Sequence, residues 1–173
     1  MNKSLKIFLF CASAFSFIGL DKLTKELARE YLKGRPAISY FNDFFRLQYA
    51  ENTGAFLSLG ANLPKPLSFW LLGFLPIVIL LILFVYVIKK AGELSAKKML
   101  CFSLIFAGGI GNIIDRIEYD RHVIDFMILG IGSLQTGIFN FADLYITIGA
   151  LSLLLFFNRK KDRQTYQKDQ PSA

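Results

Sequence analysis

Residues 67–88 form an apolar run interrupted only by Pro76, long enough to cross a membrane as a helix without help. Three further apolar stretches, residues 7–20, 99–114 and 141–157, fall short of the roughly 20 residues that a transmembrane helix needs. Each can reach that length only by continuing into polar sequence at one end. This shortfall constrains the chain most, because it draws charged and amide side chains into helices that also face lipid. With 54% hydrophobic and 19% charged residues, against about 25% charge in a soluble domain, the chain reads as an integral membrane protein. The composition excludes a disordered chain and a disulfide-stapled secreted fold.

Four spans place both termini on one side. The N-terminal tail, residues 89–98 and the tail from Arg159 hold 11 of the 20 basic residues. The remaining 9 are spread over the much longer opposite side. Positively charged loops stay in the cytoplasm, so both termini are expected there. The net charge of +7 then marks topology and contact with anionic membrane lipids, and nucleic-acid binding is not expected. The first span is read as an uncleaved helix, because Asp21 and Lys22 follow it with no small-residue cleavage site. Cys11 and Cys101 are expected as small buried hydrophobes near the cytoplasmic helix ends, with no disulfide. The whole chain, 1–173, is expected to form a single integral membrane domain, with a disordered cytoplasmic tail at 160–173.

Extended to about 20 residues from their cytoplasmic ends, the spans become residues 7–26, 67–88, 99–118 and 138–157. The extensions take in Asp21 and Lys25, then Asn112, Asp115 and Arg116, then Asn140 and Asp143. All of these fall at the extracytoplasmic end. Ionisable groups inside a membrane are costly and mark function more often than not. Other roles stay open at this point. Asp21 and Lys25 are spaced for an ion pair on one helix face. Asn112, Asp115 and Arg116 share a face and could serve as a purely structural network. Ala107, Gly108, Gly109 and Gly111 read as a helix-packing surface, between helices of one chain or between copies. Asp125 stands within the apolar run Val123-Ile124-Asp125-Phe126-Met127-Ile128, either as a solvated acid on a strand edge or as a functional one. Asp143 could act as a helix cap.

The residue inventory removes most enzyme classes. His122 is the single histidine, so a histidine-rich metal site is excluded, and both cysteines sit at the far end. No Gly-x-Ser-x-Gly frames a serine and no phosphate-binding glycine loop occurs. No metal and no cofactor is expected. Two carboxylates remain as a sufficient apparatus: one ionised to activate water, one protonated to donate to a carbonyl oxygen and a leaving amine.

Five motifs occur in order: Asp21-Lys22-Leu23-Thr24-Lys25, Glu51-Asn52-Thr53-Gly54-Ala55-Phe56, Gly108-Gly109-Ile110-Gly111-Asn112-Ile113-Ile114-Asp115-Arg116, Val123-Ile124-Asp125-Phe126 and Phe139-Asn140-Phe141-Ala142-Asp143. Together with four spans they resemble the bacterial lipoprotein signal peptidases (signal peptidase II). The resemblance implies an intramembrane aspartic endopeptidase that removes the signal peptide of diacylglyceryl-modified prolipoproteins just before the lipidated cysteine. It implies Asp125 and Asp143 as the catalytic dyad. It assigns Asn52, Gly54, Gly108, Asn112, Asp115, Arg116, Asn140 and Ala142 to positions that line or support the site, and Asp21 and Lys25 to a pair important for activity or stability. The implied fold is a membrane all-α, four-transmembrane-helix bundle with a small extracytoplasmic β-cradle, at about 36–62, and a short periplasmic-side helix. The implied place is the bacterial cytoplasmic membrane, with the active site near the extracytoplasmic face and the enzyme a monomer. Two alternatives compete: a small proton-coupled transporter using the same acids as a relay, and a non-enzymatic assembly subunit.

Overall fold

The structure is a computed structural model, and the description covers every residue except 55–59, 61–62, 133 and 169–173; side chains are described for fewer. Three helices are long and apolar enough to cross a membrane: Lys3–Leu32, Pro66–Lys90 and Ala96–Glu118. A shorter apolar helical run, Phe141–Phe156, follows them. The elements in order are α1 (Lys3–Leu32), β1 (Ile38–Tyr40), β2 (Phe45–Asn52), α2 (Lys65–Ser68), a π-helical stretch (Phe69–Phe74), α3 (Leu75–Lys90), α4 (Ala96–Glu118), β3 (Val123–Ile131), β4 (Leu134–Gln135) and α5 (Phe141–Lys168).

The helices are inside out relative to a soluble bundle. Phe8, Phe15, Leu81, Ile82, Leu154 and Leu155 point outward, while Asp21, Lys25, Ser103, Asp115 and Asn140 are fully enclosed. Lipid makes this arrangement favourable, since only the polar groups need shielding. Two apolar clusters tie the ends of the fold. Phe10, Val87, Ala91, Leu94 and Met99 close the end that holds the chain's N-terminus. There the Lys6 ammonium donates to the Gly92 and Leu94 carbonyls at 3.1 and 2.7 Å, fastening the α3–α4 turn to α1. At the other end Ala28 and Leu32 of α1 pack on Ile124, Phe126, Met127 and Phe139.

Helix α4 is the axis of the bundle and packs against α1, α3 and α5. Its small residues face three different neighbours. A side chain added at Gly108 would strike the Ala142 carbonyl oxygen, one at Gly109 would meet Leu80 at 2.7 Å, and one at Gly111 would meet an Asp21 carboxylate oxygen at 2.5 Å. The small-residue surface read from the sequence is therefore used within the chain. The π-helical stretch precedes Pro76. Proline cannot donate to the preceding turn, and the Leu75 N–H bonds to the Trp70 carbonyl, five residues back, in the wider winding.

The sheet is antiparallel in the order β1-β2-β3-β4. It differs from the expected cradle at 36–62, because β3 and β4 come from the α4–α5 connection. Residues 55–59 and 61–62 of that expectation lie outside the described residues. Among the described residues no separate short helix stands beside the sheet; Lys65–Ser68 is one turn that runs on into the long helix. The helix ends do not coincide with the ends of the expected spans. The first helix runs from Lys3 to Leu32 rather than 7–26, because Asn2 caps it and its last turns rest on the sheet. The fourth starts at Phe141 rather than 138, because Phe139 is held extended against Met127. The tail expected to be disordered continues α5 as far as Lys168.

Gly108→Ala should lower the thermal unfolding temperature in detergent, at a cost of about 1–3 kcal/mol, because a backbone carbonyl blocks the added methyl. Gly19→Ala, with nothing within 4 Å of the new carbon, should leave that temperature unchanged or raise it. Equal melting of the two variants would show that α4 and α5 are not in close contact.

Candidate active site

Five elements, α1, β2, α4, β3 and α5, converge on one polar cluster. Strand β3 leaves the end of α4 through a tight turn with Asp120 and Arg121 at positive φ (46° and 72°). It pairs with β2 in a register that sets Asp125 against Ala50 and Val123 against Asn52. Asp125 is thus on an inner strand and only 2% exposed, so a solvated edge acid does not describe it. The Asn52 amide donates to Asp125 Oδ2 at 2.8 Å, and the Asn140 amide donates to Asp125 Oδ1 at 2.7 Å.

Asp143 lies in the first turn of α5, and the cap it was a candidate for is Asn140. The Asp143 N–H donates to the Asn140 side-chain oxygen at 3.0 Å, and the Asn140 N–H returns to Asp143 Oδ2 at 3.3 Å. This reciprocal pair is a capping box, which satisfies donors otherwise orphaned at a helix start. The Asn112 amide donates to Asp143 Oδ1 at 2.9 Å. Asn140 therefore bonds to both aspartates, and its amide also reaches the Asn112 oxygen at 3.1 Å and the Ile124 carbonyl at 3.2 Å.

Behind the aspartates lies a buried ion triad. The Lys25 ammonium is 2.8 Å from Asp21 Oδ2 and 2.8 Å from Asp115 Oδ2, with all three side chains almost wholly enclosed. It also donates to the Asn112 oxygen at 3.1 Å. Each acid of the triad holds one backbone N–H. Asp21 Oδ1 accepts from Ala142 N–H at 2.8 Å, and Asp115 Oδ2 accepts from Ile124 N–H at 3.1 Å. Ala142 precedes Asp143 and Ile124 precedes Asp125, so the triad fixes the backbone immediately before each aspartate.

Arg116 bridges toward the loop after β2. Its guanidinium donates to the Asn112 carbonyl at 3.1 Å and to the Gly54 carbonyl at 2.8 Å, while its buried Nε has no hydrogen-bond partner among the described residues. The Gly54 N–H in turn donates to the Asn52 side-chain oxygen at 2.8 Å. A cleft of about 10 Å³, the room of about one water, is lined by Asn52, Gly54, Asn112, Arg116, Val123, Asp125 and Asp143. Burial, and then the nearby Asp143 carboxylate, push the Asp125 carboxyl from its ordinary value up to about 7.

All twelve residues singled out in the sequence lie in or against this cluster. Gly108 and Ala142 contribute by shape: Gly108 leaves space for the Ala142 carbonyl, and the buried Ala142 offers its N–H to Asp21. Sequence reasoning missed the surface beside the cleft. Phe69, Leu72, Ile77, Ile113, Ile117 and Arg121 line an apolar groove that also reaches Arg116. Ile77 and Ile113 continue it between α3 and α4. Pro76 was its only sequence signal, through the π-helical stretch that loosens the helix there.

A family model described as signal peptidase (SPase) II matches residues 13–159. The chain belongs to the signal peptidase II family. It is 34% identical over 156 residues to the lipoprotein signal peptidase of Borrelia hermsii (strain HS1 / DAH), covering 87% of this chain and 90% of that protein. To that of Borreliella burgdorferi (strain ZS7) it is 36% identical over 168 residues, covering 92% and 96%. A bacterial membrane enzyme solved by the in meso method at 2.3 Å resolution superposes with a TM-score of 0.76 at 26% identity, over 96% of both chains. A second such enzyme, at 1.9 Å resolution, gives 0.73 at 28% identity, over 87% of this chain and 93% of that one. Signal peptidase II is an aspartic endopeptidase that removes signal peptides from prolipoproteins, so the transporter alternative is not favoured.

Lys25→Met should be severely destabilising, about 3–5 kcal/mol, because it leaves two carboxylates buried without a cation. Adding Asp21→Asn and Asp115→Asn should restore much of the loss. A single Lys25→Met variant that melts like the parent in detergent would remove the triad as a structural clamp.

Proposed function

We propose that Asp125 and Asp143 form the catalytic dyad, with a water between them as the nucleophile. The supporting observation is that both acids line one water-sized cleft and both bond to Asn140. The pair shares one proton, which we assign to Asp125; from there it is donated to the scissile carbonyl oxygen. Asp143 takes the proton from water as it attacks. The tetrahedral intermediate then collapses: Asp143 passes the water's proton to the departing amine as the C–N bond breaks, and the hydroxyl formed from the carbonyl oxygen gives its proton back to Asp125. Asn52, Asn112 and Asn140 hold the two carboxylates in place with amide N–H groups that do not titrate. Arg116, fixed between Asn112 and Gly54 and aimed at the same cleft, positions the substrate backbone.

We read the chain as one membrane domain with four spans, the fourth completed by residues 138–140 before α5. In this reading both termini are in the cytoplasm, the sheet is a cradle on the extracytoplasmic side, and the enzyme is a monomer of the bacterial cytoplasmic membrane. The substrate is a diacylglyceryl-modified prolipoprotein cut just before the lipidated cysteine. The groove between α3 and α4 leads through lipid-facing side chains to Arg116, a path for the apolar part of such a substrate.

Asp125→Asn and Asp143→Asn should each abolish cleavage of a lipidated prolipoprotein by purified enzyme while leaving its melting temperature near the parent's. Turnover by either variant above a small percentage of the parent would remove the dyad. The unlipidated precursor should be cut far more slowly, and equal rates would remove the lipid requirement.

The pH dependence follows from Asp125. Its proton is bound more tightly folded than unfolded, so the stability it lends is present below the ordinary value of 3.8 and is lost as pH rises toward about 7. The single-proton form of the pair disappears over the same upper limit. The profile of kcat/KM should therefore fall on its alkaline side with a midpoint near 7. A flat profile from pH 6 to 9 would overturn the acid role of Asp125.

A further inference from the structure

The far end of the sheet carries apolar side chains that none of the described residues covers. Phe41 is 81% exposed, Ile131 74% and Leu134 80%, with Tyr40 and Phe44 about half exposed beside them. They come from two separate hairpins that meet at one end of the sheet. The Gly130 N–H donates to the Phe44 carbonyl at 2.9 Å, and Ile131 pairs with Leu134 one residue further out. The Arg46 guanidinium bonds to the Gln135 amide oxygen, joining β2 to β4 across β3. The two tips thus form one rigid apolar edge.

The first tip is strained in a way that points outward. Phe41, Asn42 and Asp43 are all left-handed, at φ 53°, 54° and 66°, a conformation that costs free energy at a bulky residue such as phenylalanine. The turn is held by the Ser39 hydroxyl on the Asp43 carboxylate. In water, an exposed aromatic in this conformation gains nothing. The same apolar character continues from the membrane helix. Leu20, Leu23, Leu27 and Tyr31 are exposed along one face of α1 at helical spacing, and the exposed Ile38 and Tyr40 of the edge strand β1 follow a few residues on.

We propose that this edge, made by Tyr40, Phe41, Phe44, Ile131 and Leu134, inserts into the surface of the same bilayer that holds the helices. It continues the lipid-facing side of α1 and seats the sheet over the cleft that contains Asp125. The occupant is lipid: the large exposed side chains of the edge are apolar and aromatic, while the Asp43 carboxylate is taken up by the Ser39 hydroxyl and the Arg46 guanidinium by Gln135. The inference rests on the membrane reading of the helices and is independent of the dyad.

Trp70 is the only tryptophan, so a Trp70→Phe background gives a silent chain for fluorescence. Phe41→Trp and, separately, Leu134→Trp are placed in that background and reconstituted in phosphatidylcholine vesicles. Both should emit at shorter wavelength than in unfolded protein. Lipids brominated near the headgroup end of the acyl chain should quench them at least twofold more than lipids brominated near the chain terminus, and aqueous acrylamide should quench them weakly. Strong acrylamide quenching with no bromolipid effect would overturn the proposal. Shielding that appears only at high protein-to-lipid ratio would also overturn it, since it would mark a second copy as the occupant. A Phe41→Ser/Ile131→Ser/Leu134→Ser variant should match the parent in detergent yet show a several-fold higher KM in vesicles; equal KM in both media would remove the seating role. Because fluorescence needs no turnover, loss of lipid contact and failure of the dyad assignment give separate results.

Discussion

The Lys25 ammonium, enclosed between Asp21 and Asp115, is the contact on which the rest of the structure depends. An ion pair in a low-dielectric interior gains little net stability, since desolvation offsets the attraction. Its value here is geometric. One carboxylate comes from the same helix as the lysine and the other from α4, and each spends a lone pair on a backbone N–H. Those N–H groups belong to Ala142 and Ile124, one residue before Asp143 and one before Asp125. A single cation thus ties together the two peptide segments that present the two aspartates, one at a helix start and one on a strand.

Charge balance in this region runs toward the negative. Four carboxylates, from Asp21, Asp115, Asp125 and Asp143, face two cations, Lys25 and Arg116. Amide groups fill the difference without adding charge. Asn52, Asn112 and Asn140 each donate to one of the proposed catalytic acids, and Asn112 also accepts from Lys25. A proton retained on the Asp125–Asp143 pair lowers the excess negative charge further, in keeping with the upward displacement of Asp125. The asparagines therefore do what a second lysine would do for geometry, while leaving the pair able to keep a proton.

Much of this was legible in the sequence because the membrane imposes a length. Three apolar runs too short to span pointed to Asp21, Asn112, Asp115, Arg116, Asn140 and Asp143 at one depth. The helix-spacing rule paired Asp21 with Lys25, and the structure adds Asp115 as the third member, which spacing along one helix could not reveal. The sheet was only half legible. The family resemblance implied a sheet at about 36–62, a range that contains β1 and β2, but their partner β3 reads as an apolar run, VIDFMILGI, without the alternation of a half-buried strand, because six of its residues are buried. The fourth span, counted back from residue 157 to about 138, begins three residues before α5, because Phe139 is held extended against Met127. The groove beside Arg116 was illegible, since it depends on how far α3 stands from α4.

The late start of α5 connects these observations. Its apolar part, Phe141–Phe156, is about 24 Å long at 1.5 Å per residue, less than the roughly 30 Å of the hydrocarbon core. In the four-span reading proposed above, α5 begins inside the bilayer, where its first N–H groups cannot be left to lipid. Asn140 and Asp143 satisfy two of them through the capping box, and Asp21 satisfies a third at Ala142. In that reading the polar residues that line the cleft are also the ones that make so short an apolar run tolerable in a membrane. In the same reading, an apolar run extended before Phe141 would put the start of α5 in water, which would satisfy those N–H groups without a capping box at this depth.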